Sequence, residues 1–486
     1  MQEMTKWLLV LIAVALLGLL IVAKKPEPAK APRQASQEIW QGALDVGGIK
    51  LRLVLKISKS PDGTLKATLD SVDQGAMNLP VDSIVIENKI MRLVMKSIGG
   101  SYEGTLSEDG SEVIGTWTQS GQSLPLAFKR ATETAQVLEL KRPQEPKKPY
   151  PYREEEVIFA NPSAAIQLAG TLTLPKEKGP FPAVVLISGS GQQDRDETVF
   201  GHRPFLVLAD HLTRQGIAVL RYDDRGVGKS TGDPTRATSA DFATDALAAV
   251  RYLQTRKEID PKKIGLIGHS EGGLIAPLVA VQAPGEIAFI VLLAGPGVTG
   301  EELLLLQQEL ILRALGINEG IIAQNRGIQQ RVFAVVREQP DNVKAEQKLR
   351  ALLLEELSKL SEEEQKALGI SEAFIEAQIK QMLSPWFRYF LTYDPRPTLM
   401  KVRCPVLALN GEKDLQVPPS QNLPEIVKAL EAGGHSDYTV VKLANLNHLF
   451  QTSATGSPSE YAQIEETFSP RALRVISSWI VQHAGK

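Results

Sequence analysis

The residues best suited to chemistry are a serine and its neighbours in the pentapeptide Gly268-His269-Ser270-Glu271-Gly272. The apolar run KIGLI precedes the pentapeptide, and a run with a helical pattern, GGLIAPLVAVQ, continues from it. A G-x-S-x-G sequence between a strand and a helix is typical of a sharp turn that exposes the serine hydroxyl, because side chains at the glycine positions would collide with neighbouring elements. The pattern therefore predicts that Ser270 is a nucleophile.

A serine nucleophile needs a base that removes its proton and an acid that orients the base. When the serine lies in this kind of turn, the acid and then the histidine follow it along the chain. Three of the six histidines come before Ser270, His435 precedes the last predicted strand, and His483 lies in the terminal helical run. His448 follows the strand-like run YTVVKLAN, and we predict it as the base.

The acid is predicted in the loop Gly411-Glu412-Lys413-Asp414, which follows the strand-like run CPVLALN. Glu412 and Asp414 are the two candidates. We favour Asp414 because the loop needs room to turn back toward the histidine.

The negatively charged tetrahedral intermediate of such a reaction needs hydrogen-bond donors around its oxygen. One donor is predicted to be the backbone N–H of Glu271, the residue after the nucleophile. The second is expected from the loop that follows the run AVVLI, with the N–H of Ser190 preferred and that of Gly191 as the alternative. Asp194, Arg195 and Asp196 in the same loop are predicted to brace it through ion pairs.

Other chemistries are less well supported by the sequence. The segment 226–231 resembles the end of a phosphate-binding loop, but Asp223 stands where that motif needs an earlier glycine. Lys and Arg (54) nearly balance Asp and Glu (56), which argues against a nucleic-acid partner. The single cysteine, Cys404, excludes an internal disulfide and a multi-cysteine zinc site. We expect no cofactor, no metal and a small-molecule substrate; the oligomeric state stays open.

The elements that must position these residues alternate between strand and helix over residues 157–486. Their strand-like runs are continuously apolar, as in a parallel sheet that is buried on both faces. We therefore predict a doubly wound α/β domain. Residues 300–401 are rich in Leu, Glu and Gln without a strand pattern, and are predicted to form a helical cap that acts as a lid. A coiled-coil partner surface is the alternative, although Pro340 interrupts it.

Three further segments precede this domain. Residues 1–37 contain an apolar run at 7–23 followed by a Pro-rich stalk, and we favour an uncleaved membrane anchor over a cleaved signal, with the catalytic domain exported. Residues 38–130 alternate with period two between Asp-Gly turns, which predicts a small antiparallel, lipocalin-like barrel or sandwich. This domain is either a binding module or a spacer. Residues 131–156 are predicted to be a proline-rich linker.

The catalytic motifs resemble those of bacterial serine esterases in the α/β-hydrolase superfamily, related to the dienelactone-hydrolase and serine-aminopeptidase groups. The resemblance covers residues 157–486 and rests on the following segments: Ser188-Gly189-Ser190-Gly191, Tyr222-Asp223-Asp224-Arg225-Gly226, Gly268–Gly273, Gly411-x-x-Asp414 and Asn447-His448. It implies carboxylic ester hydrolysis through an acyl-enzyme without a cofactor. In many relatives His-Gly opens the oxyanion loop, whereas Ser188-Gly189 stands here, so the second oxyanion donor differs from the family pattern.

The sequence thus predicts a membrane-tethered or exported serine carboxylesterase with Ser270, Asp414 and His448 as its triad. An aminopeptidase, or another amide or thioester hydrolase of the same fold, is the first alternative, because the triad does not distinguish these substrates. A non-catalytic binding protein is the second, although binding alone would not require a triad.

Overall fold

The structure, a computed structural model, describes residues 37–46, 49–60, 63–72, 76–119, 122–131, 141–359, 361 and 372–484. The predicted anchor at 7–23 lies outside these residues. Within them, no helix combines the length and apolar character needed to cross a bilayer. The chain forms two compact units: one holds residues up to Lys141 with 199–201 and Ala323–Leu383, and the other holds Arg142–Thr198, His202–Ile322 and Ser384–Lys486.

The N-terminal residues of the first unit form one antiparallel sheet of nine strands. The strands are β1 (Gln37–Val46), β2 (Ile49–Lys59), β3 (Leu65–Ser71), β4 (Ala76–Pro80), β5 (Ser83–Glu87), β6 (Ile90–Met95), β7 (Gly100–Leu106), β8 (Glu112–Gln119) and β9 (Gln122–Arg130), in the spatial order β4-β3-β2-β1-β9-β8-β7-β6-β5. Strands β4 and β5, at the two ends of this order, are consecutive in the chain and separated by only Val81 and Asp82, and β5 also approaches β3. The sheet therefore curls round one apolar core, which contains Trp40, Tyr102 and Phe128.

The second unit is built on an eight-stranded mixed sheet. Its strands are β10 (Arg153–Asn161), β11 (Ile166–Leu174), β12 (Phe181–Ile187), β13 (Ala218–Tyr222), β14 (Ile259–His269), β15 (Ile290–Leu293), β16 (Val406–Gly411) and β17 (Tyr438–Leu443), in the order β10-β11-β13-β12-β14-β15-β16-β17. Strands β12 to β17 run parallel to one another. Strand β11 pairs antiparallel with β13, and β10 pairs antiparallel with β11, so these two strands extend one edge of the sheet.

The described helices alternate with these strands and fill the insertion. They are α1 (Pro204–Arg214), α2 (Ser239–Gln254), α3 (Glu271–Gln282), α4 (Gly300–Ala314), α5 (Glu319–Glu338), α6 (Asn342–Leu357), α7 (Glu372–Met382), α8 (Pro385–Thr392), α9 (Arg396–Leu399), α10 (Pro419–Ala432) and α11 (Pro470–Ala484). The described part of 300–401 holds α4 to α9 and no strand. Two apolar clusters of helix and strand side chains, one for each face, enclose the mixed sheet.

The predicted fold class, an α/β-hydrolase sheet preceded by a small antiparallel β domain, is confirmed. The structure adds β1, β4 and β10, which the sequence pattern did not single out. Strand β10 begins at Arg153, inside the segment predicted as linker. Its first four residues are charged and largely exposed, which an edge strand tolerates.

The order of the parallel strands decides where the functional residues meet. Ser270 follows β14, Asp414 follows β16, His448 follows β17, and Ser190 follows β12. The carboxyl ends of parallel strands lie at one edge of the sheet, where open α/β sheets bind their ligands. All four residues therefore belong to one edge.

Candidate active site

Ser270 occupies a strained turn between β14 and α3. Its backbone has φ 53° and ψ −117°, a conformation that residues other than glycine rarely adopt. The turn is held from both sides, since the Ser270 N–H donates to the Leu293 carbonyl at 2.8 Å and the Ser270 carbonyl accepts from the Gly273 N–H at 2.9 Å. Strain maintained in this way is a feature of the nucleophile turn that the pentapeptide predicts.

The glycines beside Ser270 permit this turn because backbone atoms lie where a side chain would be. A Cβ atom on Gly268 would lie 1.9 Å from the Gly272 carbonyl oxygen, and one on Gly272 would lie 2.2 Å from the Ile187 oxygen. Such distances exclude any side chain without a backbone shift. The two glycines therefore allow α3 to start close against β12 and β14.

His448 and Asp414 form a buried pair. The imidazole Nδ1 of His448 lies 2.9 Å from the Asp414 Oδ2, and both residues are almost fully buried. The other carboxylate oxygen of Asp414 accepts the N–H groups of Gln416 and Val417 at 2.9 and 2.8 Å. The loop thus fixes the carboxylate, which in turn holds the Nδ1 side of the imidazole.

Two further contacts position the backbone of His448. Its N–H interacts with the hydroxyl of the buried Tyr461 and lowers the Tyr461 pKa, against the rise that burial causes. Its carbonyl oxygen lies 3.0 Å from Nε2 of His269, and the two imidazole rings are 4.8 Å apart between centroids. Because His269 directly precedes Ser270, this contact brings the loop of the predicted base to the nucleophile turn.

The competing residues are engaged elsewhere. Glu412, the alternative acid, is exposed and accepts the Asn445 N–H at 3.1 Å. The remaining histidines each make structural contacts: His202 with Thr467 and Tyr461, His211 with Ser477, His435 with the Cys404 carbonyl, and His483 with the Trp479 carbonyl.

The predicted oxyanion donors lie beside Ser270. Glu271 is the first residue of α3, and the first N–H groups of a helix lack partners within it. A Cβ on Gly189 would lie 3.2 Å from the Ser270 Cβ, so the loop that carries Ser190 and Gly191 runs directly past the nucleophile. The Gly189 N–H is already bonded to Glu197 at 2.7 Å. Within the described residues, the N–H groups of Ser190, Gly191 and Glu271 donate to no protein acceptor.

The charged residues of the oxyanion loop brace it, both within the loop and against the end of β13. Arg195 bonds to Asp223 at 2.8 Å, Asp196 pairs with Arg221, and Asp194 accepts the Thr198 N–H at 3.0 Å. Asp224 accepts the Ser188 hydroxyl and the Gln193 N–H, each at 2.9 Å; burial raises its pKa well above the ordinary value. Asp223 and Asp224, which precede the segment 226–231 that resembles the end of a phosphate-binding loop, thus support the oxyanion loop.

No sequence pattern singles out Glu197 or assigns a role to His269. Glu197 Oε1 lies 2.9 Å from His269 Nδ1 and also accepts the Gly189 N–H. Both nitrogens of the His269 ring face acceptors, a carboxylate and the His448 carbonyl, so the ring is best satisfied when it carries both protons. Burial lowers the pKa of His269, but the Glu197 charge outweighs this effect and the pKa is raised. The residue pair connects the oxyanion loop, the nucleophile turn and the His448 loop.

The side chain of Glu271 was also missed. It is buried and accepts the Ser239 hydroxyl at 2.6 Å and the Trp386 indole N–H at 2.9 Å, and the Ser190 side chain also interacts with it. Burial raises its pKa, and these hydrogen bonds oppose the rise. No local pattern identifies these contacts, because the partners come from three separate elements. Within the described residues, no group of three or more His, Cys, Asp or Glu side chains is arranged to hold a metal ion.

The sheet and the nucleophile turn define the fold class, and sequence comparisons identify similar proteins. Residues 203–352 match the family described as serine aminopeptidase, S33. The chain has an α/β-hydrolase fold, and its sequence is similar to this family and to an esterase.

The relatives are similar to this chain to different extents. It is 27% identical over 384 residues to Esterase EstD of Thermotoga maritima, an alignment that covers 78% of this chain and 79% of EstD. It is 35% identical over 120 residues to the putative hydrolase YtaP of Bacillus subtilis, covering 21% of this chain and 39% of YtaP. The solved structure of the α/β hydrolase GrgF from Penicillium sp. sh18 aligns with a TM-score of 0.44 at 15% identity, over 69% of this chain and 100% of that chain; this value adds nothing to the assignment.

Proposed function

We propose that the chain is a serine carboxylesterase with Ser270, His448 and Asp414 as its catalytic triad. The observation that carries this proposal is the buried Asp414–His448 pair, whose loop contacts His269, the residue next to the strained Ser270. The similarity to EstD, which is named an esterase, supports the choice of an ester substrate.

The reaction follows from these positions. Ser270 Oγ attacks the ester carbonyl carbon and gives its proton to His448, while the N–H groups of Glu271 and Ser190 stabilise the oxyanion. His448 then protonates the departing alcohol as the C–O bond breaks, which leaves an acyl group on Ser270. Water, deprotonated by His448, releases the carboxylic acid and restores the hydroxyl. Asp414 keeps the Nδ1 proton in place and stabilises the imidazolium.

A serine peptidase is the second candidate, since the family match of residues 203–352 carries the description serine aminopeptidase. The same triad would attack an amide, and His448 would protonate an amine. The two candidates are distinguished by kcat/KM on matched aryl esters, aryl thioesters and aminoacyl arylamides. Arylamide cleavage at a rate that competes with ester cleavage would favour the peptidase.

The test of the nucleophile is Ser270→Ala, measured by aryl ester hydrolysis and by covalent labelling with a fluorophosphonate. We expect kcat to fall about 10⁶-fold, labelling to disappear and the urea unfolding midpoint to be preserved. Asp414→Asn should lower kcat about 10⁴-fold by permitting the wrong imidazole tautomer, whereas Glu412→Gln is the matched control and should have little effect. Substantial turnover by Ser270→Ala would refute the triad, and a non-catalytic chain would show neither turnover nor labelling.

A further inference from the structure

The carboxylate of Glu271 connects three elements around the nucleophile. Its Oε1 accepts the hydroxyl of Ser239, the first residue of α2, and the indole N–H of Trp386 from α8. The Ser190 side chain, in the oxyanion loop, also interacts with this carboxylate and lowers the Glu271 pKa. The side chain is only 2% exposed, although Glu271 directly follows Ser270.

A carboxylate suits this junction because all three of the partners are donors. An ionised carboxylate offers two acceptor oxygens and no donor, so it can receive several N–H and O–H groups together. Its burial among uncharged donors is costly, and an apolar side chain of similar size would avoid that cost only by leaving the donors unpaired. Glu271 therefore has a role beyond filling space.

Helix α8 presents Trp386 rigidly to this carboxylate. The Ser384 hydroxyl caps the start of the helix by accepting the Phe387 N–H at 3.2 Å. The indole stacks on Phe390 with 5.4 Å between ring centroids. The Phe390 carbonyl lies so close to Gly300 that a Cβ there would be 2.0 Å away, so α8 is packed tightly against the start of α4. The position of α8 is thus well defined at the point where it reaches Glu271.

We propose that the side chain of Glu271 is a positioning residue that couples helix α8 to the oxyanion loop through Trp386 and Ser190. The Glu271 carboxylate holds the Ser190 hydroxyl, and with it the Ser190 backbone N–H, while the indole of Trp386 holds the carboxylate. The packing of α8 against Glu271 therefore determines the position of the second oxyanion donor, the Ser190 N–H. The kinetic consequence of this coupling rests on the proposed function; the contact network itself does not.

The kinetic test is a double-mutant cycle of Trp386→Phe and Ser190→Ala in the full chain. The first change removes the indole N–H and keeps an aromatic ring, and the second removes the hydroxyl and keeps the backbone N–H. Each single change should lower kcat about tenfold and alter KM less than about twofold, because oxyanion contacts strengthen in the transition state. The double variant should also lose about tenfold, since both changes interrupt one pathway through Glu271.

Trp479→Phe is the matched control, because the Trp479 indole N–H also donates to a side chain, Thr439, at 3.1 Å. By itself, Trp479→Phe should leave kcat unchanged. Combined with Ser190→Ala, it should cause no further loss of kcat. A loss of about a hundredfold in the Trp386→Phe/Ser190→Ala variant would mean that the two sites act independently and would overturn the proposal. A loss confined to KM would also overturn it, since Trp386 would then contact substrate rather than position a donor.

A spectroscopic measurement tests the coupling without any turnover. The indole ¹H–¹⁵N resonance of Trp386, assigned by its disappearance in Trp386→Phe, should shift in Ser190→Ala, whereas that of Trp479 should not. An unchanged Trp386 resonance would refute the coupling even if ester hydrolysis is established. Conversely, if Ser270→Ala retained turnover, the proposed function would be refuted. The resonance shift of Trp386 would then still test the coupling.

Discussion

Individual side chains at the nucleophile turn make contacts on both sides of it. His269 lies between the Glu197 carboxylate and the His448 carbonyl, and Glu271 joins the Ser239 hydroxyl to the Trp386 indole. The residues on either side of Ser270 are thus buried polar groups with specific partners. Such groups remain in an interior only when their hydrogen-bonding capacity is satisfied, so each is sensitive to loss of one partner.

Stability should depend on pH through His269. Its pKa is raised in the folded protein, so its protonation contributes stability that is complete below the ordinary histidine pKa of about 6.5 and is lost as the pH rises through the raised value. Glu197→Gln removes the charge that causes the rise. We expect this variant to lose roughly 3 kcal/mol of unfolding free energy at pH 6 and to lose less stability than the parent on going to higher pH.

The measurement is urea unfolding at a series of pH values from mildly acidic to mildly alkaline. Glu412→Gln removes an exposed carboxylate and serves as the control, with a pH profile like that of the parent. If Glu197→Gln retained the full pH dependence of the parent, the ion pair would not be its source.

At the scale of elements, the site depends on the close approach of α3 to strands β12 and β14. The helix begins immediately after the nucleophile, and the backbone of Gly272 touches the end of β12. A helix that starts so close to the strand ends directs its unpaired N–H groups toward Ser270. The geometry of the turn and the position of the Glu271 N–H therefore change together.

Gly272→Ala should disturb both properties. The new Cβ would lie 2.2 Å from the Ile187 carbonyl oxygen, so α3 must move away from β12. We expect a loss of about 1–3 kcal/mol in unfolding free energy and a larger proportional fall in kcat than in KM. Urea unfolding and ester kinetics provide the two measurements.

Gly327→Ala in α5 is the control for this prediction. A Cβ there meets nothing within 4 Å, so the change should raise stability by about 1 kcal/mol through helix propensity. Normal stability and normal kcat in Gly272→Ala would show that the contact between α3 and β12 does not determine the site.

At the scale of the whole molecule, the segment before β10 is tied to the C-terminal part of the same unit. The Arg142 guanidinium donates to the carbonyls of Ala462 and Ile464 at 2.7 and 3.0 Å, and Gln144 bonds to the backbone of Phe468. Burial lowers the pKa of Arg142 to about 10. The proline-rich segment thus contributes to the catalytic unit through contacts more than 300 positions distant along the chain.

Arg142→Ala should destabilise the catalytic unit, because the carbonyls of Ala462 and Ile464, close in sequence to the buried Tyr461, lose a charged donor. We expect a loss of about 2 kcal/mol in unfolding free energy. The exposed Lys147 provides the control Lys147→Ala, which should be neutral. Urea unfolding, monitored by the loss of ester hydrolysis, reports on this unit. Equal urea unfolding midpoints for the two variants would contradict the prediction.

The sequence by itself determined the features that arise from local conformation. Continuous apolar runs predicted the buried parallel strands, and G-x-S-x-G between a strand and a helix predicted the turn at Ser270. Both follow from short-range sterics and from the period of apolar residues, which a single segment expresses completely. Chain order excluded three of the six histidines, and placement relative to the predicted strands and helices selected His448 from the other three.

Only the tertiary structure decided which distant groups meet. It buried Asp414 against His448 and left Glu412 exposed, brought Glu197 to His269 across 72 positions, and joined Trp386 to Glu271 across 115. These contacts depend on the order of strands in the sheet and on the paths of the loops between them. A local pattern does not contain that information, because any of several carboxylates or indoles at similar spacing satisfies it equally well; the packing of the whole chain selects one.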